Sequence, residues 1–215
     1  MRIPVDLLIF DFDGTLADSL PPAVEAIQEM QAKLGYRKMT PREINDHIGF
    51  GEISLVAGSI GTNDSEKIKE AQKTYYDIYT QKLKKIKLYP HVNEIIEFFK
   101  NKIKLVVSNK RDEFIRIILG DHGLLDSFAE ILGGDTSPCL KPDPCVINHV
   151  LEKYKIAKER ALFIGDMTVD IETGKNAGIK TCAATYGFHS RAKLEALKPD
   201  FLINDILELK GLIDD

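Results

Sequence analysis

Two aspartates, Asp11 and Asp13, are separated by a single residue and follow directly after a short and largely apolar run, residues 5–10. Two carboxylates in one turn repel each other unless a cation or a proton relieves them. A hard cation such as Mg²⁺ does so through oxygen ligands. A solvated turn is the alternative interpretation, because Asp and the Gly14 that follows are common in loops. The segment therefore predicts either a magnesium site or a plain turn.

Polar side chains also follow later predicted strands. Ser108 and Asn109 come directly after the β-branched run 103–107, where a hydroxyl and an amide could hold phosphate oxygens. A helix cap is the alternative, since Ser and Asn favour cap positions. Lys141 precedes the segment Pro-Asp-Pro at 142–144, whose prolines fix the backbone and would aim a point charge at an anion. An exposed loop lysine is the alternative there.

A second pair of acids, Asp166 and Asp170, follows the predicted strand 161–164. If a helix begins between them, both carboxylates point toward one cavity. A turn with a helix cap is the alternative. Ligand sites of parallel α/β sheets lie at the carboxyl ends of the strands, and all four motifs fall there. Together they favour one cleft that holds a cation, an anion and a carboxylate nucleophile.

Strands that alternate with helices must position these motifs. Residues 19–85 show helical patterns without a convincing strand, whereas helical and strand-like segments alternate from Pro90 onward. This alternation predicts an α/β fold, a Rossmann-like parallel sheet with helices on both faces. The predicted strands are residues 5–10, 103–107, 129–132, 161–164, 181–184 and 201–203. We predict a core of residues 1–17 and 88–215, with a small all-helical cap domain, residues 18–87, inserted after the first strand.

Composition restricts the class of protein further. The 215 residues are 44% hydrophobic and carry a net charge of −4, which gives no electrostatic footprint for general nucleic-acid binding. No apolar stretch approaches the roughly 20 residues of a membrane helix, and no secretory signal is evident. Three cysteines, Cys139, Cys145 and Cys182, are an odd number without paired spacing, which does not indicate a disulfide framework and favours a reducing compartment. We expect a soluble, cytoplasmic monomer or homodimer that binds neither nucleic acid nor membrane.

The order of the four motifs resembles that of the haloacid dehalogenase-like (HAD) hydrolase superfamily over nearly the whole chain. Residues 11–16 are similar to the first motif of that family, Ser108 to the second, Lys141 to the third, and Gly165-Asp166 with Asp170 to the fourth. The helical segment after the first motif is similar to the small helical cap of the family. The resemblance implies an enzyme that moves a phosphoryl group onto its own aspartate and then to water.

The resemblance also implies roles for the acidic residues. Asp11 is the expected nucleophile, which forms an aspartyl-phosphate. Asp13 is the expected general acid, which protonates the leaving alcohol and later activates water. The expected metal is Mg²⁺, bound by Asp11, by the backbone carbonyl of Asp13 and by Asp166. Asp170 is expected to support the metal shell or Lys141.

The expected substrate is a small phosphorylated metabolite, a soluble phosphate monoester. Polar groups are expected to hold the oxygens of the transferring phosphate, where charge is spread in the transition state. They are Gly14, Thr15, Ser108, Asn109 and Lys141, of which Lys141 is also counted as catalytic. Cap residues that face the cleft select the substrate, and Arg42, His47 and Phe50 are the candidates. A solvated helix position is the alternative for Arg42 and His47.

The finer resemblance is to the phosphoglycolate phosphatase-like subgroup. It rests on residues 107–110, 133–135, 141–144 and 185–187. The presence of Asp13 favours phosphatase or phosphomutase activity, since family members that break carbon–halogen bonds lack an aspartate at this position of the first motif. A sugar phosphomutase and a pyrophosphatase or nucleotidase are the alternatives within the same fold. A signalling receiver domain is disfavoured by the helical insert and the Lys141 loop, and an idle binding protein by the intact motifs.

Overall fold

A computed structural model describes residues 2–214 and has a parallel sheet at its centre. Its strands are β1 (Leu7–Phe10), β4 (Ile103–Val107), β5 (Glu130–Leu132), β6 (Ala161–Gly165), β7 (Lys180–Ala184) and β8 (Phe201–Ile203), and a separate two-stranded ribbon consists of β2 (Ala17–Asp18) and β3 (Lys87–Leu88). The six strands run in the order β5-β4-β1-β6-β7-β8, and every neighbouring pair is parallel. The predicted Rossmann-like sheet is confirmed, with strand ends that differ by one or two residues.

Helices account for most of the remaining structure. The α-helices are α1 (Leu20–Leu34), α2 (Pro41–Asn45), α3 (Glu52–Ile60), α4 (Ser65–Thr80), α5 (Val92–Phe98), α6 (Asp112–Asp121), α7 (Cys145–Tyr154), α8 (Thr168–Ala177), α9 (Arg191–Ala196) and α10 (Leu209–Leu212). We call residues 19–86, which contain α1 to α4, the helical insert. Within residues 2–214, no helix combines the length and the apolar character that a membrane-spanning helix needs.

The sheet is buried on both faces, which explains why its strands are apolar throughout. Along β1, Leu7 and Ile9 join one cluster of buried side chains, to which α7 contributes Val146. Leu8 and Phe10 point the other way and join a second, larger cluster. Burying each such side chain contributes about 1.5–3 kcal/mol, so the two faces fix the position of the strand firmly.

The register of the strands brings the chemical motifs to one edge. Phe10, the last residue of β1, is paired with Val106 on one side and with Ile164 on the other. The backbone N–H of Asp11 donates to the carbonyl of Ile164 at 2.9 Å, which continues the ladder for one more residue. The residues that follow β1, β4 and β6 therefore meet at the carboxyl edge of the sheet.

The helical insert is joined to the sheet through the ribbon, in which Ala17 pairs with Leu88 and Asp18 with Lys87. These strands were not predicted, because two residues are too short to show a pattern. Within the insert, α2 begins at a capping box, in which Thr40 Oγ1 accepts from the N–H of Glu43. The end of the segment predicted as helical, residues 65–85, is α4 followed by a 3₁₀ turn, and β3 comes directly after it.

Candidate active site

The loop after β1 is shaped by backbone hydrogen bonds and by one glycine. The carbonyl of Phe12 accepts from the N–H groups of Leu16 and Ala17 at 2.9 and 3.0 Å, which turns the chain back on itself. Gly14 has a φ of 83°, and a Cβ built there would stand 2.1 Å from Asp166 Oδ2. Only glycine fits at this position, both by backbone conformation and by space. The loop thereby brings the two acidic motifs together.

Asp166 lies at the bottom of the site and is fully buried. Its Oδ1 accepts from Thr15 Oγ1 at 2.8 Å, and its Oδ2 accepts from the N–H of Phe188 at 2.7 Å. Gly187 approaches so closely that a Cβ there would lie 2.3 Å from Oδ2. The Thr15 hydroxyl thus orients a carboxylate here, and the expectation that Thr15 holds substrate phosphate stays a prediction.

Asp170 and Lys141 form a buried ion pair beside the nucleophile candidate. The helix α8 begins at Thr168, between the two acids, so Asp170 lies in its first turn. Asp170 Oδ1 accepts from Lys141 Nζ at 2.6 Å, and its Oδ2 accepts from the N–H of Met167 at 2.9 Å. Lys141 Nζ also lies 2.7 Å from Asp11 Oδ1. One ammonium therefore bridges two buried carboxylates.

Negative charge exceeds positive charge in this cluster. Oxygen atoms of Asp11, Asp166 and Asp170 all lie within 4.8 Å of one another. The pKa of Asp11 is raised to about 7, first by burial and then by the charge of Asp170, against the opposing effect of Lys141. Burial, followed by the charges of Asp170 and Asp11, raises the pKa of Asp166 well above its usual value. Burial alone would lower the pKa of Lys141, but the two carboxylates beside it outweigh this effect and raise it.

The surplus of carboxylate makes the cluster suitable for a metal ion. Asp11 Oδ1 is buried, and the Lys141 ammonium that lies 2.7 Å from it is shared with Asp170. A hard divalent cation would satisfy such an oxygen and relieve the repulsion between the carboxylates. The all-oxygen donor set fits this kind of ion. The side chain of Asp13 lies outside this cluster. Asp13 was expected to bind the metal through its backbone carbonyl, and this expectation stays a prediction.

Asp13 is held by two groups that were not singled out in the sequence. Its Oδ1 accepts from Ser19 Oγ at 2.5 Å and from Lys110 Nζ at 3.0 Å. Lys110 Nζ also donates to Tyr79 Oη, in α4, at 2.6 Å. The signal for Lys110 was present in the sequence, because this lysine is the third residue of the polar run that follows β4. Ser19 and Tyr79 carried no comparable signal, since both come from the helical insert.

Asn109 fixes the loop that carries Lys141. Its Oδ1 accepts from the backbone N–H of Lys141 at 2.9 Å, and its Nδ2 donates to the carbonyl of Lys141 at 3.0 Å. The same Nδ2 donates to the carbonyl of Gly49, in the helical insert, at 2.8 Å. Ser108, also buried, accepts from the N–H of Lys110 at 3.4 Å. Direct binding of phosphate by Ser108 and Asn109 stays a prediction.

A disulfide between Cys139 and Cys145 closes the Lys141 loop, so the expectation from the cysteine count was wrong. That reasoning looked for a scaffold of several bridges, whereas one local bridge needs only a turn that brings two cysteines together. Here the N–H of Asp143 donates to the carbonyl of Leu140 at 3.0 Å, and the two cysteine Cα atoms lie 6.2 Å apart. Cys182 is buried and unbridged.

We expect Cys145→Ser to lower the free energy of unfolding by about 2 kcal/mol under non-reducing conditions, because the bridge closes a short loop in the unfolded chain. Urea titrations of both proteins measure the difference. With a dithiol reductant present, the wild-type protein should match the variant. A wild-type stability that does not change with reductant would contradict the bridge.

The cleft between the helical insert and the edge of the sheet encloses a cavity of about 60 Å³. Its lining includes Asp11, Asp13, Ser108, Asn109 and Lys141, so the structure brings these predicted residues to one place. It does not bring the three cap candidates there. Arg42 and Phe50 are exposed, and His47 lines a separate shallow pocket on the insert. The selection of substrate by these three residues stays a prediction without a contact to support it.

Comparison with known proteins identifies the class. The family model described as haloacid dehalogenase-like hydrolase matches residues 8–184. The chain belongs to this family of hydrolases, as the order of its motifs predicts. It is a phosphatase, a phosphoric monoester hydrolase, and it is most like the phosphoglycolate phosphatases. Members of the family are generally metal-dependent, in agreement with the carboxylate cluster.

The relatives that support this finer likeness match almost the whole chain. A phosphoglycolate phosphatase of Psychrobacter arcticus is 36% identical over 214 residues, which are 94% of this chain and 93% of that protein. A phosphoglycolate phosphatase of Vibrio parahaemolyticus is 34% identical over 220 residues, which are 97% of this chain and 96% of that protein. The crystal structure of a predicted phosphoglycolate phosphatase from Haemophilus somnus superposes with a TM-score of 0.91 at 27% identity, covering 96% of this chain and 97% of that one.

Proposed function

We propose that this phosphatase hydrolyses 2-phosphoglycolate to glycolate and phosphate through a phosphoryl group carried by Asp11, with Mg²⁺ as its metal. The observation that carries the proposal is the environment of Asp11. Its buried carboxylate lies at the carboxyl end of β1, with one oxygen 2.7 Å from Lys141 Nζ and with oxygen atoms of Asp166 and Asp170 within 4.8 Å. The names of the relatives support phosphoglycolate as the substrate.

The first chemical step forms a bond between an Asp11 oxygen and phosphorus while the bond to the leaving oxygen breaks. Asp13 gives its proton to that leaving oxygen, so that glycolate departs as the alcohol. In the second step a water oxygen attacks the phosphorus, Asp13 takes the proton of the water, and the bond to Asp11 breaks. Lys141 neutralises part of the negative charge that gathers on the phosphoryl oxygens and keeps the Asp11 side chain in place.

Asp11, Asp166 and the backbone carbonyl of Asp13 would hold the Mg²⁺. The ion supplies charge that lets a carboxylate approach a phosphate dianion. We further propose that residues 18–87, which are the helical insert and one flanking residue at each end, form a cap domain. Two of its contacts with the sheet side of the cleft support closure: the bond from Asn109 to Gly49, and an ion pair in which Arg111 Nε lies 2.7 Å from Glu52 Oε2. A closed cap keeps bulk water from the phosphoryl group.

We expect phosphate release from 2-phosphoglycolate to require Mg²⁺, to stop when a chelator removes the ion, and to return when it is restored. Mg²⁺ should also raise the unfolding temperature, since it relieves the repulsion between buried carboxylates; the gain is about 2.7 kcal/mol at a hundredfold excess over Kd. Asp166→Asn is the matched variant, and it should lose most of this rise. Full activity in chelator would contradict the role of the metal, and no release from 2-phosphoglycolate would contradict the substrate.

A further inference from the structure

We propose that Lys110, together with Tyr79, recognises a carboxylate on the leaving group, so that the enzyme selects phosphate esters of short hydroxy acids. This inference rests on the proposed function and adds the residues that bind the leaving group of the substrate. The first observation is the position of Lys110 beside Asp13. Lys110 Nζ lies 3.0 Å from Asp13 Oδ1, and Asp13 is the group that protonates the leaving oxygen. Whatever lies beside Asp13 therefore faces the leaving group.

Lys110 and Tyr79 hold donors that the protein uses weakly or not at all. An ammonium has three N–H donors. Among residues 2–214, Lys110 Nζ donates to Asp13 Oδ1 at 3.0 Å and to Tyr79 Oη at 2.6 Å, and its third contact, to Asp13 Oδ2, is long at 3.4 Å. Tyr79 Oη accepts that bond at 2.6 Å, and its own hydroxyl proton has no acceptor among the same residues. Both side chains line the cavity, so two adjacent donors are available to the two oxygens of one carboxylate.

The charge of Lys110 also favours a carboxylate on the leaving group. Its side chain is only 7% exposed and is compensated in this structure by Asp13. When Asp13 carries the proton that it will give to the leaving oxygen, that compensation is gone. A buried ammonium without a counter-charge is costly. A carboxylate on the leaving group restores the balance at the moment when the acid is ready to act.

Much of the remaining lining of the cavity is apolar. It includes the apolar or aromatic side chains of Ala23, Ile48, Leu55, Tyr75, Phe114 and Met167. A further ion pair in the lining, Arg111 with Glu52, is bidentate at 2.7 and 3.2 Å and leaves no free charge. Apart from Tyr75, these apolar and aromatic side chains offer no strong hydrogen-bond partner to the several hydroxyls of a hexose, and a buried hydroxyl without a partner weakens binding. A short leaving group with one anionic end is the chemistry that remains.

The test compares two substrates of equal length in one set of proteins. The first is 2-phosphoglycolate, and the second is 2-hydroxyethyl phosphate, which replaces the carboxylate by an uncharged alcohol. We expect the wild-type protein to prefer the first by about 10- to 100-fold in kcat/KM, the range of a hydrogen-bonded charge. Lys110→Met should bring this preference close to one, mainly by raising the KM for 2-phosphoglycolate. Because Lys110 also contacts Asp13, the variant should hydrolyse both substrates more slowly. This shared loss cancels in the ratio of the two kcat/KM values.

Three variants separate charge recognition from a structural effect. Lys110→Arg should retain most of the preference, and Lys110→Gln should lose it while keeping a polar side chain, should the methionine variant not fold. Arg116→Met removes an exposed cation of α6 that is paired with Asp112 and does not line the cavity, and its ratio should stay at the wild-type value. An unchanged ratio in Lys110→Met and Lys110→Gln, or a wild-type enzyme without preference, would overturn this inference while leaving the phosphatase in place. No phosphate release from either substrate would overturn the proposed function and this inference together.

Discussion

Asp11→Asn lowers the rate of phosphate release by on the order of 10⁴-fold or more, since the amide cannot form the phosphoryl-enzyme. The two side chains have nearly the same shape, so the buried position is filled as before. One of three clustered carboxylates is lost, and its burial and the charge of Asp170 had raised its pKa to about 7. The unfolding temperature of the metal-free variant should therefore equal or exceed that of the wild-type protein. Phosphate release with saturating substrate and thermal unfolding measure the two effects.

The matched control is Asp121→Asn, at the exposed end of α6. It makes the same chemical change far from the cleft, and its rate should equal that of the wild-type protein. Asp11→Asn retaining more than a few per cent of the activity would assign the nucleophile to another residue. A rate loss accompanied by a large drop in unfolding temperature would show that the variant fails by misfolding.

Asp13→Asn should slow turnover of 2-phosphoglycolate by about 10²- to 10⁴-fold, the usual contribution of a general acid or base. The loss should be unequal for the two steps. An aryl phosphate, whose leaving group needs no proton, should still phosphorylate Asp11 rapidly, while the attack of water remains slow without a base. A burst of phenol release, equal to the enzyme concentration and followed by a slow phase, is the expected time course. A burst slowed as much as the slow phase would contradict the role of Asp13 as the general acid, because an aryl leaving group needs no proton.

The sequence predicts the sheet and the acidic part of the site for one physical reason. Asp11 and Asp166 each follow an apolar strand directly, and parallel strands fix where such residues meet. A helix start between Asp166 and Asp170 was a condition of that prediction; the structure begins α8 there, and Gly165 allows the close approach of the Asp170 side chain. Strand ends are local features, so a linear pattern is enough to find them.

Contacts between distant segments could not be predicted in the same way. Tyr79 reaches Lys110 because α4 lies against α6, where Tyr79 contacts Phe114, and no spacing along the chain encodes that contact. Arg42 and His47 were named as cap residues expected to face the cleft. The sequence does not determine which side of a short helix such as α2, which contains Arg42, or of the turn after it, which contains His47, faces the cleft. The bridge between Cys139 and Cys145 depends on a turn that was not predicted.

The most direct test of the covalent step is to trap the phosphoryl group. Asp13→Asn, mixed with an aryl phosphate labelled with ³²P and with Mg²⁺ and quenched in acid, should retain close to one label per chain. Reduction of the acyl-phosphate with borohydride should convert residue 11 to homoserine, which peptide mass analysis detects. Turnover without any protein-bound label, or label on a residue other than Asp11, would contradict the mechanism.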